Sequence, residues 1–237
     1  MTHLNEKYSL SQGGFARIAP FALYLAFMVV DEALRFLSSH GYVPIPATAH
    51  LYLYPVKAIS VGILLIILRR SYSELKWSDL KRPAAIIAGT VVGVVVFVLW
   101  INMTWSWAVV GQLYGYDPTA VPEGLSRSLL IVSRIIGAAV VVPVMEEIFW
   151  RSWLLRYLIS ADFKSVEIGK FTSSSFIIGT VMFALEHNLW FAGIMAGCVY
   201  TILLYRTKSL AQCILAHAVT NLLLGLYVLN TGQWFFW

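Results

Sequence analysis

The stretch Val141-Val142-Pro143-Val144-Met145-Glu146-Glu147-Ile148-Phe149-Trp150-Arg151 sets two carboxylates and a guanidinium inside an otherwise apolar run. Charged side chains are expensive in hydrocarbon, so those that persist there carry a functional reading by default. On a helix, Glu147 and Arg151 stand four residues apart and share a face. Their pairing would let Glu147 stay ionised near the membrane. Glu146 is turned away by about 100° and is free to face a cavity. Pro143, just upstream, can kink the helix and loosen its backbone. Taken alone, the segment also reads as a structural ion-pair cluster at a helix end.

Outward from this stretch the chain stays apolar. Of its 237 residues, 59% are hydrophobic and 12% charged, about half the charged share of a soluble domain. The mean hydropathy is +0.75. Apolar runs near the length that spans a bilayer recur along most of the chain, which argues against a soluble protein with a large core. The net charge of +5 does not imply a nucleic-acid partner, because the basic residues fall between apolar runs, where they set topology. Nine Trp and twelve Tyr suit interfacial belts, and Trp234-Phe235-Phe236-Trp237 reads as such an anchor. Cys198 and Cys213 lack metal-type spacing and read as buried thiols.

Seven spans are predicted, at 18–37, 51–68, 84–107, 128–150, 175–187, 189–205 and 210–229. The fourth is expected to continue as an interfacial helix through Ile159, which would give a count of eight. The fold class is therefore all-α, a polytopic membrane bundle of seven to eight transmembrane helices around an intramembrane polar chamber. The polar segment 1–17 lacks a cleavable leader pattern, so the first span, with Asp31, Glu32 and Arg35, is read as uncleaved. Connections 38–50 and 108–126 hold no Lys or Arg, whereas 69–82 holds five and 151–170 four; Arg206 and Lys208 follow the sixth span. The positive-inside rule then puts the N-terminus in the cytoplasm and the C-terminus outside. Residues 111–124, with Pro118 and Pro122, read as an outer loop. Gly89-x-x-x-Gly93 and Gly193-x-x-x-Gly197 mark close helix contacts, within the chain or between chains, so the oligomeric state stays open.

Two further groups sit at helical spacing. Phe183 and His187 are four apart, so the ring can wall a site and position the imidazole. His217 and Asn221 lie one turn apart on the last span, and two N–H groups pointing the same way make an oxyanion hole. Interhelical hydrogen bonding is the plainer reading of each. Glu186-His187-Asn188 falls where the fifth span turns into the sixth. A turn at that depth requires surrounding protein or a water-filled cavity.

Together, Glu146-Glu147-x-x-x-Arg151, Phe183-x-x-x-His187 and His217-x-x-x-Asn221 resemble, in this order, the three motifs of the CPBP (CAAX protease and bacteriocin-processing) intramembrane proteases. The resemblance covers about residues 127–229 and divides the single membrane domain into spans without signature (1–125) and a catalytic-type core (126–237). It implies that Glu146 and His187 activate a water, that His217 and Asn221 stabilise the oxyanion, and that Glu147, Arg151 and Phe183 support them. It further implies a glutamic-type peptidase without a cofactor or metal, in a prokaryotic plasma membrane, acting on a membrane protein or lipidated peptide. The short chain and Phe149-Trp150-Arg151-Ser152-Trp153 point toward the exosortase-associated branch. Three other classes stay open: a zinc protease using Glu146, His187 and His217, an ion- or proton-coupled transporter, and a non-catalytic scaffold.

Overall fold

The computed structural model describes residues 12–46, 48–111 and 115–237. The expectation for the polar N-terminus falls partly on residues 1–11, and that for the 111–124 loop partly on residues 112–114; these lie outside the described residues. Seven long helices follow one another: α1 (Gln12–Ser39), α2 (Ala49–Leu68), α3 (Pro83–Ile101), α4 (Leu125–Tyr157), α5 (Ser173–Ala184), α6 (Trp190–Thr207) and α7 (Leu210–Thr231). No strand occurs among the described residues. Five of these helices, α1, α2, α3, α4 and α7, are long and apolar enough to cross a membrane. At 12 residues α5 is shorter than a bilayer crossing requires.

The outward faces identify the solvent. On α2, Ile59, Ile63, Ile66 and Ile67 are exposed, and on α3 so are Val91, Val94, Val95 and Val98. Rows of β-branched apolar side chains on a helix with satisfied backbone are stable against hydrocarbon rather than water. Among these helices the main core gathers Phe21, Val61, Val96, Met145, Trp150 and Tyr200, so helices from both halves of the chain share it.

Two predicted ends are corrected. The third span was expected to reach Trp107 but stops at Ile101, where Asn102 Nδ2 donates to the Val98 carbonyl at 2.7 Å. The chain then leaves the helix so that Trp105 and Trp107 stack on each other and pack against Phe191. The fifth span was expected to include His187 but ends at Ala184. His187 instead lies in a turn whose N–H bonds the Ala184 carbonyl at 3.1 Å, while the Asn188 carbonyl accepts from Val110 N–H at 2.8 Å. Protein groups thus satisfy the backbone of that turn. The fourth helix does continue beyond Trp150, to Tyr157.

Close helix approach falls where small residues permit it. A Cβ added at Gly93 on α3 would lie 2.5 Å from the Ala216 carbonyl oxygen on α7, and one at Gly193 on α6 would lie 2.9 Å from Ala184 Cα on α5. Both GxxxG patterns therefore serve contacts inside this chain.

One end of the bundle collects the basic connections. Arg17, 1% exposed, donates to both Glu74 carboxylate oxygens at 2.7 and 2.5 Å, to the Gly13 carbonyl at 2.6 Å and to the Ser71 carbonyl at 2.9 Å. Arg156 on α4 approaches the same carboxylate at 3.5 Å, and Ser152 bonds it as well. At this end, too, Ser209 Oγ donates to Asp79 at 2.7 Å and Lys208 bonds the Gly169 carbonyl. The network ties the start of α1, the α2–α3 connection and the end of α4 to one level.

Candidate active site

Helix α4 is not uniformly α-helical. Wide π turns occupy Gly137–Val141 and Ile148–Leu154, on either side of the α-helical Val142–Glu147. Such bulges change the angular phase of a helix and often accompany functional positions. The carboxylate pair sits at the end of the α-helical piece. Glu147 is fully buried and Glu146 is 8% exposed.

Glu147 holds two partners. Its Oε1 accepts from Arg151 Nη1 at 3.2 Å and from His217 Nδ1 at 2.9 Å. The pairing with Arg151 follows from helical spacing; the bond to His217, across 70 positions of sequence, joins α4 to α7. Arg151 lies over the Phe183 ring at 4.4 Å and the Tyr200 ring at 5.5 Å. Phe183 also packs against Trp150, His187 and His217. The motif residues on α4, α5 and α7 thus meet around one aromatic side chain.

Glu146 points elsewhere. It lines a cavity of about 460 Å³ together with His187, His217, Asn221 and Phe183. Its Oε2 is buried and has no hydrogen-bond partner. His187 Nδ1 is 2.9 Å from the Phe183 carbonyl oxygen. A carbonyl can only accept, so Nδ1 carries a proton, and in the neutral ring Nε2 keeps its lone pair. The ring stands edge-on to Trp100, with centroids 5.2 Å apart. By the same logic, the bond from His217 Nδ1 to Glu147 leaves Nε2 as the other hydrogen-bonding atom of that ring. His217 is stacked on Tyr200 at 5.1 Å. Asn221 Nδ2 donates one proton to the Ala138 carbonyl in the first π stretch, at 2.9 Å; its second amide proton is not used by that bond.

Several lining residues were not singled out from sequence. Glu186 contributes a third carboxylate to the cavity wall, and its Oε2 is buried without a partner. Its place beside His187 in the turn was a usable signal. Tyr200 Oη donates to Thr220 Oγ1 at 2.8 Å, and Thr220 Oγ1 donates to the Gly93 carbonyl at 2.9 Å. Tyr200 follows Gly193 and Gly197 at helical spacing on α6, so its face could have been assigned. Tyr24, Tyr54 and Arg134 complete the cavity on the side toward Phe236 and Trp237. Among the described residues, no three His, Cys, Asp or Glu side chains are grouped closely enough to hold a metal ion. The three candidate zinc ligands therefore share a cavity but do not form a ligand set.

No curated protein and no solved structure matches the chain. Residues 128–223 match the family model described as type II CAAX prenyl endopeptidase Rce1-like, a stretch that contains Glu146, Glu147, Arg151, Phe183, His187, His217 and Asn221. Over these residues the helical core that builds this cavity is thus similar to the CAAX-protease family of membrane endopeptidases.

Proposed function

We propose that the protein is a glutamic-type intramembrane endopeptidase that cleaves a membrane-associated or lipidated peptide. One observation carries the reading: Glu146, His187, His217 and Asn221 line a single cavity, while Glu147 and Arg151 pair behind it. A water between Glu146 and His187 Nε2 would lose a proton to this pair as its oxygen attacks the peptide carbonyl. The oxyanion would be met by His217 Nε2–H and the second Asn221 amide proton. With Nδ1 bonded to Glu147, donation from Nε2 requires the doubly protonated ring of His217. Collapse of the tetrahedral adduct breaks the C–N bond, and the proton taken from water passes to the leaving amine. Donors fixed before the reaction are worth most at such a step, because they need no reorganisation in a water-poor site.

The positive-inside pattern supports a cytoplasmic N-terminus, and the resemblance to the CAAX proteases is what suggests a prokaryotic plasma membrane. The division into a signature-free portion, 1–125, and a catalytic core, 126–237, is part of the same reading.

The test is a proteome-wide comparison of peptide termini in the native host, with wild type against Glu146→Gln at equal membrane abundance. A terminus made only by the wild type is expected, and it would name the substrate and cut site. Identical termini in the two strains under varied growth conditions would overturn the assignment.

A further inference from the structure

The cavity holds one carboxyl group to which the proposed reaction gives no role. Glu186 lines it together with Glu146, His187 and His217. Its Oε2 is buried and has no hydrogen-bond partner. The same is true of Oε2 on Glu146, a residue only 8% exposed. Two carboxyls thus line one space, each with an orphaned buried oxygen. Neither takes part in an ion pair among the described residues, where the carboxylates of the ion pairs are those of Asp31, Glu74, Glu123 and Glu147. A buried polar group without a partner is costly, and a catalytic role is one of the few reasons for keeping it.

The turn after α5 fixes Glu186 in place. The Ala184 carbonyl accepts from His187 N–H at 3.1 Å, and the Asn188 carbonyl accepts from Val110 N–H at 2.8 Å. Beyond them Leu189 is buried, and its carbonyl accepts from Gly193 N–H at 2.9 Å in the first turn of α6. Glu186 precedes His187 in the chain, so their Cα atoms are about 3.8 Å apart. The charge of Glu186 acts on Glu146 more strongly than those of His217, Glu147 or Arg151 do. Trp150, four residues beyond Glu146 on α4, has a buried indole N–H without a hydrogen bond of normal geometry. It stands close enough to Glu186 to act on its carboxyl. Glu186 therefore meets α4 at the level of Glu146.

Two neighbouring carboxylates in a water-poor site do not both ionise, because like charges repel and burial opposes each charge. The available cations do not change this. Arg151 is already paired with Glu147, and the Arg134 guanidinium stacks over Tyr54 at 4.3 Å and Tyr116 at 5.2 Å. One carboxyl of the two then carries a proton at rest. Glu146 is the carboxylate that works with His187 Nε2 on the attacking water, which leaves the proton on Glu186.

We infer that Glu186 is a further catalytic residue, the general acid that protonates the leaving amine. This rests on the peptidase reading. One O–H bond of the water breaks and its proton goes to the Glu146–His187 pair as the oxygen bonds to the carbonyl carbon. When the C–N bond breaks, its electron pair stays on nitrogen, which takes the proton of Glu186. The proton held by Glu146 and His187 then passes through the cavity to the Glu186 carboxylate, and the resting state is restored. The proton that reaches the amine is thus Glu186's, and the one drawn from water replaces it. A positioned acid of this kind contributes about 10²–10⁴-fold in rate.

Infrared spectroscopy reads that proton without a substrate. The full-length Glu146→Gln protein in dodecyl maltoside is compared, near neutral pH, with Glu146→Gln/Glu186→Gln. Glu146 contributes no carboxyl to either, so a protonated-carboxyl band present only in the first belongs to Glu186. That band is expected. If Glu186→Gln does not fold, Glu186→Asp on the same background serves: with carboxyl-labelled glutamate the band of the parent should shift, and that of Glu186→Asp should not. In the cellular comparison of termini, Glu186→Gln should lower the wild-type product about 10²-fold at equal membrane abundance. Glu186→Asp should recover part of it, which a shortened side chain could not do for a packing defect. Absence of a Glu186-dependent band overturns the proposal, and so does an unreduced product in Glu186→Gln. Identical termini in wild type and Glu146→Gln would remove the peptidase reading and this role with it; the infrared band separates that failure from the lack of a proton on Glu186.

Discussion

Replacing Glu147 by Gln isolates the charge of the buried triad with Arg151 and His217. The amide oxygen can keep both bonds now made by Oε1, at 3.2 and 2.9 Å. The amide nitrogen would take the place of Oε2, which has no partner, so no donor clash is introduced. What is lost is the charge. A hydrogen bond to a charged group contributes about 1.5–3 kcal/mol, against about 0.5–1.5 for a neutral one, so two bonds lose about 2–3 kcal/mol together. Arg151, whose Nη2 is already unpartnered, is left as a buried cation on the Phe183 and Tyr200 rings. Breaking a buried ion pair costs about 3–5 kcal/mol, and the retained bonds place Glu147→Gln at the low end, about 3 kcal/mol. At roughly 2–4 °C per kcal/mol for a chain of this size, Tm should fall by about 6–12 °C. Glu147→Leu should cost more, because both bonds go. The double variant Glu147→Leu/Arg151→Leu should recover part of that loss, since apolar replacement of a whole buried pair is often neutral, yet remain inactive. Tryptophan fluorescence during thermal unfolding in detergent reads all three. A Tm loss below 2 °C for Glu147→Gln, or a double variant no more stable than Glu147→Leu, would refute the reasoning.

Other outcomes follow from the same contacts. Burial raises the Glu74 carboxyl, but hydrogen bonds from Arg17 and Ser152 and the charge of Arg17 outweigh it, so its pKa is lowered from the ordinary carboxylate value. A lowered folded-state pKa gives stability that is present above the unfolded-state value and is lost as pH falls through the folded-state value. Acid scans of Tm should therefore show a loss in wild type that is smaller in Glu74→Gln, and parallel curves would contradict this. Gly93→Ala forces a methyl to within 2.5 Å of the Ala216 carbonyl and should cost about 1–3 kcal/mol, read by thermal unfolding. Asn221→Ala should lower kcat by about 10²–10³ if its amide meets the oxyanion, with KM little changed. Tyr200→Phe should cost about 1 kcal/mol for the bond to Thr220 while cleavage stays within a few-fold, because the stack on His217 remains.

The fold was largely legible because the medium writes it into composition. Rows such as Ile59, Ile63, Ile66 and Ile67 face outward in a span already evident as an apolar run. Helix ends were less so: the third span was read through to Trp107 past Asn102, Thr104 and Ser106, whereas the chain leaves the helix after Ile101 for the aromatic packing of Trp105, Trp107 and Phe191. At the site, residues paired at four-residue spacing could be read locally, as Glu147 and Arg151 were. The bond from His217 to Glu147 could not, since 70 positions separate them and only the packing of α7 against α4 brings them together. Glu74 with Arg17, separated by 57 positions, is the same case at the basic end.

The π turns of α4 have a consequence for how relatives of this chain are compared. A π turn holds one more residue than the α turn it replaces, so a single insertion or deletion within Gly137–Val141 can be absorbed without breaking the helix. It would nevertheless rotate everything before it by about 100° relative to Glu146, carrying Arg134 to a different neighbour. Two chains identical at every signature residue can thus differ in which side chains line the cavity beside Glu146 through one codon gained or lost inside a membrane helix. Alignments that forbid gaps within spans would conceal that difference, and the residue count of α4 becomes an inherited variable in its own right.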